Sequence, residues 1–193
     1  TYEAFQYRNF FVDLIGGLGV SDLRVENDTS NNLGEVVLVL PRAGVHAERI
    51  NALSTFTFDT TIEGQVNSIR DGDLAALGRS RTDERYVTLD FNTGWSAYLE
   101  PLLRPEAWRD PANETAATLA HEVSVGLRGQ YGFDYRLIPQ ASQTLGGFFS
   151  VRGYDQSVAV GDTIVVSTFE YRFHLPRALP VKRQPLRIPL LGD

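Results

Sequence analysis

The residues able to carry chemistry are few and scattered. The 193-residue chain has three histidines, His46, His121 and His174, each in a different segment. It has no cysteine, which removes thiol nucleophiles, thiolate metal sites and disulfides. His121-Glu122 opens like the helical zinc-protease signature, but Val125 stands where the second histidine would have to fall, and the neighbouring residues alternate as a strand does. The glycines of Gly16-Gly17-Leu18-Gly19 do not match a phosphate-binding loop followed by a helix and read as thin strand packing. With no nucleophile, base and orienter to assemble, no enzyme is expected, and no cofactor or metal. What remains is a guanidinium in a glycine-rich segment, Val151-Arg152-Gly153-Tyr154. Arg152 offers a permanently charged planar fork that can hold a carboxylate through two bonds. Gly153 permits a turn or a close backbone approach, and Tyr154 can pack its ring while its hydroxyl donates.

Such a segment needs a frame, and period-two alternation supplies it. Residues 84–99 set Tyr86, Thr88, Asp90, Asn92 and Ser96 on one face and Val87, Leu89, Phe91, Trp95 and Leu99 on the other. Residues 52–67 oppose Phe56, Phe58, Ile62 and Val66 to Thr55, Thr57, Asp59, Glu63 and Gln65. Residues 119–134 oppose Val123, Val125, Leu127, Tyr131 and Phe133 to Glu122, Ser124, Arg128 and Gln130. Residues 163–175 oppose Val165, Phe169, Tyr171 and Phe173 to Thr168, Glu170, Arg172 and His174. Two further strands are predicted over 9–27 and 33–40. The first changes phase near Ser21, where a bulge is expected. Turns are expected at 28–32 and at Pro41-Arg42-Ala43-Gly44, with a charged loop at 70–83, a proline-bearing excursion at 101–118 and a glycine-rich segment at 139–162.

Segment length bears on class, because globular strands run about 5–6 residues whereas membrane-crossing strands need about 9–11. The longest apolar run, 36–40, is far short of the roughly 20 residues of a spanning helix, so any membrane role must use strands. The expected fold is all-β: an antiparallel transmembrane β-barrel with its apolar face to lipid and Glu122, Arg128, Glu170 and Arg172 facing a wet lumen. Aromatic residues near strand ends resemble interfacial girdles. The same alternation also suits a soluble β-sandwich with one solvated face per sheet. Six strands could not stand open in hydrocarbon, where unpaired edge groups cost several kcal/mol each, so further strands are expected outside this sequence. The lack of methionine and the patterned opening at Thr1-Tyr2-Glu3 agree with a piece of a longer protein whose export signal lies elsewhere. Residues 1–178 are read as partial barrel including a loop at 135–162, and 179–193, rich in proline, as a periplasmic turn or linker. A net charge of −6, with Lys182 the one lysine and no basic tract interleaved with aromatics, argues against nucleic acid as partner.

From Gly146-Gly147 the chain continues to Val151-Arg152-Gly153-Tyr154, then Gly161-Asp162 and Glu170-Tyr171-Arg172. This succession resembles the outer-membrane polypeptide-transport superfamily, which includes outer-membrane assembly factors and two-partner secretion transporters. Leu127-Arg128-Gly129-Gln130-Tyr131 and Leu137-Ile138-Pro139 look closest to the secretion branch. The resemblance covers residues 123–173 in its motifs and is pattern-level before them. It implies a sixteen-stranded barrel preceded by periplasmic polypeptide-transport-associated domains, with the tetrapeptide on a loop folded inside the lumen. On that mapping 119–134 runs outward, 163–175 inward, and 101–118 is periplasmic. The resemblance places the carboxylate partner of Arg152 on a wall strand beyond Asp193, with Glu170 as second candidate. Asp162 reads as turn chemistry rather than a ligand. The implied function is translocation of an exported polypeptide client across the bacterial outer membrane. An assembly factor, a passive porin and a soluble β-sandwich adhesin are the alternatives.

Overall fold

The structure, a computed structural model, describes residues 1–27, 32–109, 119–147, 151 and 153–174. Its dominant feature is one antiparallel sheet in the order β1 (Tyr2–Tyr7), β2 (Phe10–Asn27), β3 (Asn32–Ile50), β4 (Ser54–Gln65), β5 (Tyr86–Tyr98), β6 (His121–Tyr131) and β9 (Ile164–Phe173). A separate two-stranded ribbon pairs β7 (Gln143–Leu145) with β8 (Ala159–Gly161). Among the described residues helix is confined to α1 (Asp71–Ala76), α2 (Glu100–Leu103) and α3 (Pro105–Arg109). The chain is all-β, with seven strands in the sheet rather than six. β1 is the addition: its sequence, Tyr-Glu-Ala-Phe-Gln-Tyr, has no clean alternation, and its pairing with β2 shifts register between Glu3 and Phe5. Among the described residues β1 and β9 end the order and are not paired with each other.

Two compact units are present, one of Thr1–Ala97 with Val123–Glu170 and one of Tyr98–Glu122 with the residues from Tyr171 on. In the first, pairing keeps unlike faces apart. Opposite neighbours on one face are Val45 and Thr60, Ala43 and Ile62, Phe56 and Trp95, Ile62 and Leu89. On the other they are Arg42 and Glu63, His46 and Asp59, Asp59 and Asn92, Thr61 and Asp90. Because side chains alternate strictly, a one-residue slip would exchange the faces, so the sequence pattern pins the register. The apolar face is open: Leu18, Val20 and Phe169 are 69%, 68% and 71% exposed.

Two sequence expectations fail here, each for a physical reason. The phase change at Ser21 involves no bulge, since β2 and β3 pair without a register shift from Phe10↔Arg49 to Asn27↔Asn32. Instead the faces change roles. Up to Val20 the apolar residues point to the open side; beyond it Asp22, Arg24 and Glu26 are exposed there, and Leu23 and Val25 turn to the other side. There they pack on a covered core of Val36, Leu38, Ile69, Leu74, Leu77, Tyr86, Leu137 and Ile138. The second failure is the turn expected at Pro41-Arg42-Ala43-Gly44, which lies inside β3, with Pro41 opposite Leu18. A proline lacks the N–H a ladder needs. The gap stays local, because the β3–β4 ladder runs from Arg42↔Glu63 and, beyond the proline, the Val66 N–H still donates to Val39 O at 3.2 Å. The side chain of Asn67 carries the attachment further, donating to Val37 O at 2.7 Å and accepting from the Val39 N–H at 2.8 Å.

In the second unit the buried Glu100 accepts from the backbone N–H groups of Ala120 and His121, each at 2.7 Å. Burial alone would raise this carboxyl's pKa, but those two bonds outweigh it and hold the group below its ordinary range. The tail at 179–193 lies outside the described residues.

Candidate functional site: a loop across the polar face

Residues 132–163 connect β6 to β9, and within the first unit their described part lies over the polar side of the sheet. A cavity of about 570 Å³ separates Asp59, Thr61, Asp90, Asn92 and Arg128 on the strands from Gln143, Thr144, Gly147 and Gln156 on the loop. Gln143 Nε2 donates to Asp90 Oδ1 at 3.0 Å and so joins loop to wall.

Beyond the β7–β8 ribbon the loop reverses tightly. Gly146 and Gly147 have φ of 117° and 85°, a region that penalises any β-carbon. At Gly146 such an atom would also overlap the carbonyl of Asp155. Gly147 bridges to Val151, and its N–H donates to Tyr154 O at 3.1 Å. Gly153, at φ 91°, turns the chain between them, and Tyr154 is exposed. The double glycine, Val151, Gly153 and Tyr154, separated in sequence, therefore form one compact reversal. Arg152 lies outside the described residues.

At the loop's base Asp162 stands in the bend between β8 and β9, and its side chain is also a junction. Arg79 Nη1 and Nη2 donate to its two carboxylate oxygens at 2.6 and 2.9 Å, and Ser142 Oγ donates to Oδ1 at 2.9 Å. Arg79 Nη1 also donates to Leu137 O at 2.9 Å. From β6, Gln130 Nε2 donates to Ala141 O at 3.0 Å and Asp162 O at 3.2 Å. Burial pushes the Asp162 pKa up, but the Arg79 and Ser142 bonds outweigh it and hold the group below the usual carboxylate range, while Arg79 is stabilised in its charged form.

A sign follows for acid stability. The folded-state pKa of Asp162 is depressed, so its contribution is fully present above the unfolded value of about 3.9 and is lost as pH falls through the folded value. Wild-type protein is expected to lose stability more steeply than Asp162→Asn on acidification below about pH 4. Urea midpoints measured from pH 6 to 2 check this; parallel curves for the two proteins would contradict it.

Of the residues expected to face a lumen, Arg128 lines the cavity, and Glu170 is half-buried on β9. Glu122 and Arg172 meet in the second unit, Arg172 Nη1 to Glu122 Oε1 at 3.6 Å, where His174 Nε2 also lies 2.9 Å from Glu122 Oε2. The same unit stacks His121 against Tyr171, whose hydroxyl is 2.5 Å from His121 Nδ1.

Arg79, Ser142 and Asp90 were not singled out as site residues from sequence. Arg79 sits in a charged loop without periodicity, so no local pattern marks its partner, which is 83 positions away. The one usable signal was Leu137-Ile138, an apolar pair in a polar loop. No protein-family model matches this chain, and no curated protein or solved structure does.

Proposed function

We propose that the chain forms part of an outer-membrane β-barrel that carries an exported polypeptide through its lumen, with the segment 135–162 as the lumen loop. The observation that carries this reading is a sheet with unlike faces, one polar and crossed by a loop, the other apolar and open. A soluble sandwich would cover that second face, since large exposed apolar patches mark membranes or partners. On β2 the open apolar stripe runs from Phe10 to Val20 and ends at Asp22. Ten steps at about 3.4 Å, on a strand tilted about 45°, give a band about 24 Å tall, close to that of outer-membrane barrels. Four of the six connections agree in length too: residues 8–9 and 51–53 are short, whereas 66–85 and 132–163 are long and lie at the opposite end of the sheet, as periplasmic turns and extracellular loops differ; 28–31 and 99–120 are the exceptions.

The resemblance gives Arg152 the task of stabilising the conducting or gating-competent loop. Arg152→Ala is expected to reduce secretion of the client to near background while the protein still fractionates with the outer membrane and keeps its heat-modifiable mobility. Undiminished secretion would remove the role. Failure of other barrels to insert, with secretion intact, would favour an assembly factor, and a client-independent ion conductance alone would favour a porin.

A further inference from the structure

The two limbs of the loop are held by different physics. The outgoing limb is fixed by apolar burial, because Leu137 and Ile138 are 0% and 1% exposed in the core with Leu74 and Leu77. It cannot leave without wetting both side chains. Among its described residues the return limb has no such anchor, Val158 and Val160 being 57% and 63% exposed. β7 and β8 share three residue pairs, too few to be stable alone, and Ser142 ties Asp162 only to the loop itself. Its attachments to the frame include the neutral amide of Gln130, the Gln143–Asp90 bond and the Arg79–Asp162 pair. Of these, only the last is ionic and bidentate, the stronger kind of hydrogen bond. Arg79 also starts from a firm base, since α1, just before it, places Leu74 and Leu77 in the core. Yet the side chains of Arg79 and Asp162 are 31% and 21% exposed, so water and salt can compete for the pair.

We propose that Arg79 is a positioning residue that keeps the return limb seated on the polar face, and that the loop unseats when the Arg79–Asp162 pair opens. This rests on the lumen-loop reading for its consequence in transport, but not for its geometry. Opening would move 143–147 and 153–161 relative to the fixed 137–138 anchor and widen the mouth of the cavity beneath them.

The absence of cysteine permits a direct test on the purified protein. Thr61, half-buried under the loop, is replaced by cysteine, and its labelling by a water-soluble maleimide is timed. Arg79→Ala should speed labelling about tenfold or more, which corresponds to about 1.4 kcal/mol of seating free energy. The exchanged pair Arg79→Asp with Asp162→Arg should return the rate toward that of the parent, and high salt should speed the parent but not Arg79→Ala. A second reporter, Ala47→Cys, sits in β3 away from the cavity and is 7% exposed. If it also becomes reactive, Arg79 serves the fold rather than the seat and the proposal fails. It fails equally if Arg79→Ala leaves Thr61→Cys labelling unchanged, or if the exchanged pair labels as fast as the single variant. Faster labelling with undiminished secretion would uphold the clasp and count against the transport reading alone.

Discussion

Leu137→Ala is expected to lower stability by about 2–5 kcal/mol, among the largest losses any single side chain here can give. Leu137 is 0% exposed although it lies in a connection, and it packs with Val36 and Leu38 of β3, Leu74 of α1, Leu77 just after it, and Tyr86 of β5. Truncation would remove the transfer free energy of the lost methyl groups and leave a cavity among elements held together by that contact. Ile138→Val, one methylene smaller at 1% exposure, should lose only about 0.5–1.5 kcal/mol. Leu102→Ala, at 79% exposure, should fall within about 0.5 kcal/mol of wild type. Urea titration of the three separates a packed core from loose association. If Leu137→Ala behaved like Leu102→Ala, the loop would not be anchored there.

The second large effect is expected at Gly129. A β-carbon there would overlap the carbonyl oxygen of Ile164 and stand 3.0 Å from Phe91 Cζ. A flexible side chain can move aside, but a strand carbonyl cannot do so without opening the β6–β9 pairing. Gly129→Val should therefore exceed the roughly 1–3 kcal/mol typical of overpacking. It should also raise amide exchange across residues 123–131 and 164–170. Gly126→Ala is the matched control, because its β-carbon would meet nothing closer than 3.8 Å. Equal stabilities for the two variants would contradict the close approach.

Both predictions concern features that sequence reading reached only in part, and the reason is the range of the forces involved. Alternation is local, so β4, β5, β6 and β9 were legible within a few residues of their ends, as was the division into polar and apolar faces. β1 was not, because an edge strand with both faces exposed needs no pattern. Residues 41–44 misled because proline and glycine were judged on conformational habit alone. A missing N–H removes one bond, and whether the bonds on either side hold the strand across the gap only the completed ladder decides. The site divides similarly. Gly146, Gly147 and Gly153 were found because positive φ leaves a mark on residue type, whereas the partnership of Arg79 with Asp162 leaves none.

Pro41 has a further consequence. The nitrogen that cannot donate lies inside a seam that is held on both sides of it, with Arg42 facing Glu63 before the gap and Val66 bonded to Val39 beyond it. It is a dropped stitch, not the end of the fabric. Asn67 ties off the seam at Val37 and Val39, and beside that knot Val36 and Leu38 join the core with Leu74 and Leu137.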